Sequence, residues 1–377
     1  MSESKRTYKI VISGGGTGGH IYPAIAIANE IKRSLKDVEI LFVGAKNRME
    51  MEKVPAAGYK IEGLWISGIQ RNLSKDNLLF PVKVISSVFG SYKILKNFKA
   101  DIAVGVGGYA SWPLLYTASK MGIPTLIQEQ NSYAGVTNKF LSRKASKICV
   151  AYNGMEKFFP GDKLVVTGNP VRKDIIDLDT TKSQALTYFD LNATLKTVLV
   201  IGGSLGARTI NQSIASQLNT FKEKNIQLIW QTGKTFYKSA CDQVNALNLS
   251  SVVKVREFIQ KMDCAYAAAD IVISRAGALS ISELCVAKKP VILVPSPNVA
   301  EDHQTKNAKA LEKNNAAILV SDSEANNVLV SRAIQLLGDE EAKMDLSRNI
   351  GAMAKPYAAE EIVRVIRDIL KISDNVH

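Results

Sequence analysis

The feature that most constrains this sequence is a strand, a glycine turn and a helix that occur together once in each half of the chain. Residues 9–13 (KIVIS) lead into the turn at 14–19, and residues 197–201 (TVLVI) lead into the turn at 202–207. Apolar residues at helical spacing follow each turn, and further short apolar runs alternate with helical stretches in both halves. This order is typical of parallel, doubly wound sheets. The sequence therefore predicts an α/β protein with two Rossmann-like domains separated by a cleft.

The chain length supports two domains. It has 377 residues, which is too many for one hydrophobic core. Asn169 and Pro170 form a turn signal within GNPVR (168–172), and a polar stretch follows. We therefore expect an N-terminal domain over residues 1–171 and a C-terminal domain over residues 172–356. The last helical run, about residues 357–377, is expected to pack back on the N-terminal domain.

Several classes of protein are disfavoured. No apolar run approaches the roughly 18 residues that a membrane-spanning helix needs. Residues 1–6 are polar and lead straight into a strand, so we expect no secretory segment and a cytoplasmic protein. Only three histidines occur, which argues against a histidine-built metal site. The four cysteines have no CxxC spacing, and we interpret them as small buried hydrophobic residues: Cys149, Cys241, Cys264 and Cys285.

Positive charge is concentrated in the first half of the chain. Residues 1–170 contain 23 Lys and Arg against 12 Asp and Glu, so they carry +11 of the total formal charge of +13. This asymmetry predicts an anionic partner, which could be nucleic acid, a phospholipid surface or a phosphorylated substrate. A basic surface that only aids solubility is the alternative. Nucleic acid is disfavoured because no basic sheet with interleaved aromatic residues or recognition helix is evident.

The first glycine turn matches GxGxxG at Gly14, Gly16 and Gly19, where backbone N–H groups and a helix N-terminus favour an anion. A dinucleotide site also needs an acidic residue at the end of the second strand, but that strand ends at residues 43–46 as VGAK. Nicotinamide binding is therefore disfavoured. His20, at the start of the helix, could act as a general base, with helix capping or packing as the alternative.

The second half offers two further sites for a ligand. The turn at 202–207 (GGSLGA) has the same anion-binding pattern and adds the hydroxyl of Ser204, although such turns also occur without ligands. Residues 274–283 (SRAGALSISE) follow a strand and open a helix. Glu283 lies about one and a half helical turns into it, where a carboxylate could accept both hydroxyls of a ribose. A solvated helix acid is the alternative for Glu283.

The segment 71–99 is basic and apolar, with six Lys and Arg and one acidic residue. A basic amphipathic helix on an anionic leaflet would bring a peripheral protein to a lipid-linked substrate. We predict that Leu79, Phe80 and Lys83 face the membrane. The alternative is a core-facing stripe at helical spacing, made of Leu78, Val82, Ile85, Phe89 and Tyr92.

Eight short motifs follow one another along the chain: GGGTGGH (14–20), GGYAS (107–111), EQN (129–131), GNPVR (168–172), GGSLGA (202–207), EFI (257–259), SRAGALSISEL (274–284) and DHQTKNA (302–308). In these motifs and their order the sequence resembles the MurG family, whose members convert lipid I to lipid II in peptidoglycan synthesis. The resemblance covers the whole chain.

The resemblance implies a GT-B fold and transfer of N-acetylglucosamine (GlcNAc), with inversion, from UDP-GlcNAc to the C4 hydroxyl of N-acetylmuramic acid (MurNAc) in lipid I. UDP-GlcNAc is then a substrate, and no cofactor or bound metal is required. The resemblance also implies a peripheral protein on the cytoplasmic face of the inner membrane. Its partners would be UDP-GlcNAc, lipid I, an anionic membrane surface and other cell-wall synthesis proteins, and not nucleic acid.

Catalytic roles are also implied by the resemblance. His20 would be the base, with Tyr109 and Glu129 nearby. Three residues of the first glycine turn would close over the donor: Thr17, Gly18 and Gly19.

The resemblance implies donor contacts for further residues. Ile259 would meet uracil through its backbone, and Glu283 would meet the ribose. Ser204 and Arg172 would contact the diphosphate, and Asn131 and Gln304 the sugar. The nucleotide would lie against Ala278, Leu279, Ser280, Ile281, Ser282 and Glu283. The family has two successive glutamines where this chain has His303 and Gln304, so the role of His303 stays open.

Three alternatives are kept beside this one: a glycolipid glycosyltransferase of the same fold, a UDP-GlcNAc 2-epimerase, and a UDP-sugar sensor without activity. An epimerase needs no acceptor and so no basic apolar segment. A sensor has no need of a base such as His20.

Overall fold

Two units, each built on its own parallel sheet, make up the protein. The computed structural model describes residues 6–68, 79–177, 179–203, 206–299 and 302–372. Unit 1 comprises Met1–Val171 with Pro356–His377, and unit 2 comprises Arg172–Lys355. The predicted α/β class with two Rossmann-like sheets is confirmed.

Unit 1 contains a seven-stranded sheet. Its strands are β1 (Tyr8–Gly14), β2 (Val38–Ala45), β3 (Lys60–Leu64), β4 (Ile102–Gly107), β5 (Thr125–Glu129), β6 (Lys147–Val150) and β7 (Leu164–Val166). They lie in the order β3-β2-β1-β4-β5-β6-β7, and all neighbouring pairs are parallel. The helices are α1 (Gly18–Ser34), α2 (Glu50–Ala56), α3 (Phe80–Phe98), α4 (Ser111–Lys120) and α5 (Val136–Ser142).

Unit 2 contains a six-stranded sheet. Its strands are β8 (Lys196–Ile201), β9 (Ile226–Gln231), β10 (Val253–Arg256), β11 (Ile271–Ser274), β12 (Val291–Leu293) and β13 (Ile318–Leu319), in the order β10-β9-β8-β11-β12-β13. Its helices are α6 (Lys173–Ile176), α7 (Lys182–Phe189), α8 (Arg208–Ala215), α9 (Leu218–Glu223), α10 (Lys234–Ala246), α11 (Met262–Ala268), α12 (Ala278–Ala287), α13 (His303–Glu312), α14 (Ala325–Gly338) and α15 (Glu340–Ala352).

The last helix, α16 (Ala358–Leu370), belongs to unit 1 and packs against α1. Its residues Ile362, Val363 and Ile366 are buried in one apolar cluster with Ile27 and Ile31 of α1. The unit therefore draws on chain segments that are far apart in sequence.

The central strands are apolar because helices cover both faces of each sheet. In β1, Ile10, Val11 and Ile12 are fully buried. Strands β3, β7 and β13 were not predicted from the sequence, and they lie at the ends of the strand orders. These strands are short and none is fully buried; in β3 the exposed Lys60 and Glu62 interrupt the apolar pattern.

Both sheets present a switch point, where β1 meets β4 and β8 meets β11. At such a point successive connections run in opposite directions, and the carboxyl ends of the strands leave a crevice in which doubly wound folds bind ligands. The glycine turns follow β1 and β8 at these edges.

The cysteine prediction needs one correction. Cys149, Cys264 and Cys285 are buried, but Cys241 is half-buried. Burial raises the pKa of the Cys149 and Cys285 thiols to about 12, so both stay protonated. None of the helices formed by the described residues has the length and apolar character needed to cross a bilayer.

Candidate active site

Two glycine turns of unit 1 lock together at the carboxyl ends of β1 and β4. Gly15 N donates to Gly107 O at 3.2 Å, and the Ser111 hydroxyl lies 2.9 Å from Gly107 O and 3.2 Å from Ser13 O. Gly108 has φ +95°, and a Cβ built there would lie 2.5 Å from Gly15 O. The two backbones approach so closely that a side chain at position 108 is excluded.

His20 is held between these turns. It is the third residue of α1 and is half-buried, and its Nδ1 lies 3.0 Å from Gly15 O. A Cβ at Gly107 would lie 2.7 Å from Nε2, so the ring fills the space that this glycine leaves. A carbonyl oxygen only accepts, so Nδ1 must carry the hydrogen, and the lone pair of a neutral ring is then on Nε2.

Other predicted residues of unit 1 surround the same turns. Thr17 and Gly19 are exposed and Gly18 is half-buried at the start of α1. Tyr109 is 46% exposed, and its ring centroid lies 5.8 Å from the Arg48 guanidinium carbon. A Cβ at Gly16 would lie 3.9 Å from the Tyr109 ring. Tyr109 therefore stands beside the first glycine turn.

Glu129 ends β5, and its buried carboxylate organises the loop that follows. Its Oε1 accepts from Asn131 N at 3.1 Å and Asn131 Nδ2 at 3.3 Å. Its Oε2 accepts from Gly135 N at 3.1 Å and Asn138 Nδ2 at 2.8 Å. The four donors on this one carboxylate fix the loop that carries Asn131, and a direct catalytic role for Glu129 stays a prediction.

Glu283 of unit 2 forms a polar cluster with the buried Tyr266 and the half-buried Arg172. Arg172 Nε donates to Glu283 Oε1 at 3.2 Å, and Tyr266 OH donates to Glu283 Oε2 at 3.2 Å. Burial raises the pKa of Glu283, against the opposing effects of Arg172 and the Tyr266 hydroxyl. Burial likewise raises the pKa of Tyr266 well above its ordinary value. The interpretation of Glu283 as a solvated helix acid is wrong, because only 7% of the residue is exposed.

Helix α12, which carries Glu283, begins just after the carboxyl end of β11. Gly277 is its N-cap, and Ala278, Leu279, Ser280, Ile281, Ser282 and Glu283 are its first six residues. The first turns of such a helix carry unpaired N–H groups that attract anions. Upstream, Arg275 Nη1 donates to Val294 O at 3.0 Å and is ion-paired with Asp322, which fixes the loop between β11 and α12.

The remaining predicted donor residues are placed as follows. Ile259 is buried, and its N–H donates to Gln231 Oε1 at 3.0 Å. Gln304 lies in the first turn of α13, and its Oε1 accepts from Ser296 N at 2.9 Å. Ser204 lies outside the described residues. Its flanking glycines are joined by a bond of 3.1 Å from Gly206 N to Gly203 O.

Helix α3 presents its apolar side outward, so the core-facing alternative is wrong for Val82, Ile85, Phe89 and Tyr92, which are between 43% and 72% exposed. Leu78 lies outside the described residues. Leu79 is 46% exposed and Phe80 is half-buried. The inward side carries Lys83, Ser87, Ser91, Ile94 and Leu95.

The prediction that Lys83 faces the membrane is therefore wrong. It is 8% exposed, and its Nζ donates to Ser67 Oγ at 3.2 Å and lies 6.0 Å from the Trp65 ring centroid. The charged end of this long side chain lies inside unit 1 because an inward hydroxyl and an aromatic ring receive it.

Two family models match the chain. Residues 10–150 match the glycosyltransferase family 28 N-terminal domain, and residues 197–362 match its C-terminal domain. A relative from Cytophaga hutchinsonii is 60% identical over 370 residues, covering 98% of this chain and 99% of the relative. It is named UDP-N-acetylglucosamine–N-acetylmuramyl-(pentapeptide) pyrophosphoryl-undecaprenol N-acetylglucosamine transferase. The crystal structure of Acinetobacter baumannii MurG matches with a TM-score of 0.76 at 26% identity, covering 96% of this chain and 100% of that structure.

The chain belongs to the MurG family of glycosyltransferase family 28.

The MurG resemblance, the GT-B fold class and the glycosyltransferase class predicted from the motifs are thereby confirmed. The fold alone is shared more widely. A UDP-GlcNAc 2-epimerase from Neisseria meningitidis, solved with UDP-GlcNAc bound, has a TM-score of 0.67 at 16% identity, covering 96% of this chain and 100% of that structure. The roles of individual residues in this MurG family member remain predictions.

Four residues that hold the MurG motifs in place could not be identified as functional from the sequence alone. Asn138 and Gln231 are amides that bond Glu129 and Ile259. Tyr266 lies in the apolar helix α11 (MDCAYAA), where its hydroxyl gives no pattern. Glu50 opens α2, and its carboxylate lies beneath the first glycine turn. Only Glu50 left a signal, as an acidic residue five positions beyond the end of β2.

Proposed function

We propose that this chain transfers GlcNAc from UDP-GlcNAc to the C4 hydroxyl of MurNAc in lipid I, with inversion, to give lipid II. The observation that carries the proposal is the 60% identity, over nearly the whole chain, to a relative whose name states this transferred sugar and this class of lipid-linked acceptor. The glycine turns, His20 and the Glu283 cluster are the groups that such a reaction needs.

His20 is the base in this proposal. Its Nδ1–H is directed at Gly15 O, so the basic atom is Nε2. The acceptor C4 oxygen attacks C1 of GlcNAc as its proton passes to Nε2. The bond between C1 and the phosphate oxygen breaks, and both electrons leave with UDP. Attack on the face opposite UDP inverts C1.

The donor is held mainly by unit 2 in this proposal. Each oxygen of Glu283 has two lone pairs, so the carboxylate can keep Arg172 and Tyr266 and still accept the ribose hydroxyls. Arg172 uses Nε for Glu283, and we assign its terminal Nη groups to the diphosphate. Because the N–H of Ile259 is donated to Gln231, we assign its carbonyl to the uracil.

The departing diphosphate is stabilised by protein donors in this proposal. The N-terminus of α12, the turn that carries Ser204 and the Arg172 guanidinium supply hydrogen bonds where negative charge develops. We assign the sugar to Asn131 and Gln304, and closure over it to Thr17, Gly18 and Gly19. No metal is required by this arrangement of roles.

We place the protein on the cytoplasmic face of the inner membrane through α3 and α5. The exposed apolar residues are Leu79 just before α3, Val82, Ile85, Phe89 and Tyr92 on α3, and Val136 and Phe140 on α5. Helix α4 packs against both helices, and its Trp112 ring lies 6.3 Å from that of Phe140. Exposed cations accompany them: Lys93, Lys96, Arg143 and Lys144. An apolar face edged by cations suits an anionic lipid surface.

The test is transfer of labelled GlcNAc from UDP-GlcNAc to a short-chain lipid I analogue, with and without EDTA. The proposal expects transfer in both. Inversion of the α-linked donor gives a β-linked product, so a β-specific hexosaminidase should release the transferred GlcNAc and an α-specific one should not. Tight UDP-GlcNAc binding without transfer would favour the sensor. Formation of the 2-epimer without acceptor would favour the epimerase. Loss of transfer with EDTA would contradict only the statement that no metal is required.

A further inference from the structure

Glu50 is buried, and its carboxylate accepts two backbone hydrogen bonds, one of them from the first glycine turn. It is 1% exposed, its Oε2 accepts from Gly16 N at 2.8 Å, and its Oε1 accepts from Ala45 N at 3.0 Å. Among the described residues no cation forms an ion pair with it. Buried acids without a cation are rare, and they are kept where their hydrogen bonds are needed.

Two glycines leave the space that the Glu50 side chain occupies. A Cβ at Gly15 would lie 2.3 Å from Glu50 Oε1, and a Cβ at Gly44 would lie 2.5 Å from Glu50 Cγ. Glycine at both positions is therefore required by the side chain of Glu50.

Glu50 and His20 bind opposite sides of one peptide group. Gly16 N, which donates to Glu50, and Gly15 C=O, which accepts from His20 Nδ1, belong to the same peptide bond. That bond is planar and trans, so fixing its N–H also fixes its C=O. A carboxylate on the N–H also increases the negative charge on the carbonyl oxygen, since hydrogen bonds in a chain polarise one another.

We propose that Glu50 is a positioning residue that acts on His20 through the Gly15–Gly16 peptide group. It holds the imidazole with hydrogen on Nδ1, and it stabilises the ring after Nε2 has taken the acceptor proton. This inference rests on the proposed role of His20 as the base. The peptide group transmits the effect of the carboxylate, and no proton moves along it.

The first test is Glu50→Gln in the full chain, which keeps the volume and removes one acceptor and the charge. We expect kcat to fall about tenfold or more, with the KM for UDP-GlcNAc within about twofold. Glu52→Gln is the matched control, because Glu52 lies on the same helix with its side chain 78% exposed. A kcat for Glu50→Gln equal to that of the control would overturn the proposal.

A double-mutant cycle separates this inference from the proposed function. If Glu50 acts through His20, adding Glu50→Gln to His20→Ala leaves the residual turnover unchanged. A further fall of similar size would show that Glu50 acts independently and would overturn the inference. If His20→Ala alone keeps full turnover, the role of His20 fails, and the inference fails with it.

A measurement on the unaltered chain covers the case in which Glu50→Gln does not fold. Nitrogen-15 NMR of labelled histidine should show neutral His20 with hydrogen on Nδ1, and the Gly16 amide proton should exchange slowly and resonate downfield. Hydrogen on Nε2 instead, or a rapidly exchanging Gly16 amide, would overturn the proposal.

Discussion

Arg172 Nε lies 3.2 Å from Glu283 Oε1, so two residues assigned to different parts of the donor are paired with each other before any donor binds. Tyr266 completes the arrangement from the other carboxylate oxygen. The cluster presents Glu283 in a fixed orientation, which reduces the ordering that the ribose would otherwise have to impose.

Tyr266→Phe tests this orientation directly. The change removes one donor from a buried carboxylate, so we expect UDP affinity to fall about tenfold with little change in kcat. Calorimetric titration with UDP measures the affinity. Tyr188→Phe is the matched control because Tyr188 is 50% exposed in the same unit. Equal affinities for the two variants would contradict the prediction.

The pH dependence of UDP binding should report Glu283. Burial raises the pKa of its carboxyl, so the group takes up a proton at a higher pH than an exposed glutamate does. Protonation removes the charge paired with Arg172 and an acceptor for the ribose. UDP affinity should therefore be full above the raised pKa and be lost as pH falls through it.

Stability should change with pH in the opposite direction. The folded chain holds the Glu283 proton more tightly than the unfolded chain, so this group's contribution to the free energy of unfolding increases as pH falls from the folded to the unfolded pKa. Glu283→Gln should remove both dependences. Retention of both in that variant would assign them to another group.

His20→Ala should lower kcat by about 10² to 10⁴-fold, because a general base contributes that much to the rate. The dissociation constant for UDP should change far less, since the imidazole is assigned to the acceptor hydroxyl. Steady-state transfer assays and UDP titration measure the two quantities. Unchanged turnover in a folded variant would remove His20 from the mechanism.

Glu129→Gln separates loop organisation from direct catalysis. The glutamine amide has one oxygen that can accept and one NH2 group that cannot. Either the two nitrogens of Asn131, or Gly135 N and Asn138 Nδ2, therefore lose their acceptor. We expect the free energy of unfolding to fall by about 2 kcal/mol, measured with denaturant, and proteolysis to increase within residues 131–138. A variant of unaltered stability that had lost turnover would return Glu129 to a direct catalytic role.

The outward face of α3 should determine vesicle binding. Ile85→Ser with Phe89→Ser removes two side chains that are 72% and 70% exposed, so co-sedimentation with phosphatidylglycerol vesicles should fall about tenfold or more. Met344→Ser, at a residue 70% exposed on α15, is the control. Unchanged vesicle binding by the double variant would remove α3 from the membrane surface.

Lys83→Ala should instead lower the free energy of unfolding, since Lys83 is buried.

Functional residues could be predicted from the sequence where they lie within a short motif that also determines the local backbone. The glycine turns, His20 at the start of α1 and Glu283 in α12 could all be identified from local patterns. Tyr266, Gln231 and Asn138 could not, because each acts on a residue that only folding brings near. The stripe of Val82, Ile85 and Phe89 was ambiguous for another reason, since helical spacing shows that a face exists but not whether it points inward.

The packing of α16 on α1 has a consequence for synthesis on the ribosome. Ile27 and Ile31 belong to a core that Ile362, Val363 and Ile366 complete, and these are made only after all of unit 2. The nascent first unit therefore carries an uncovered apolar surface while about half of the polypeptide is still being translated. A chain released early, before codon 358, would retain that surface and be prone to aggregate.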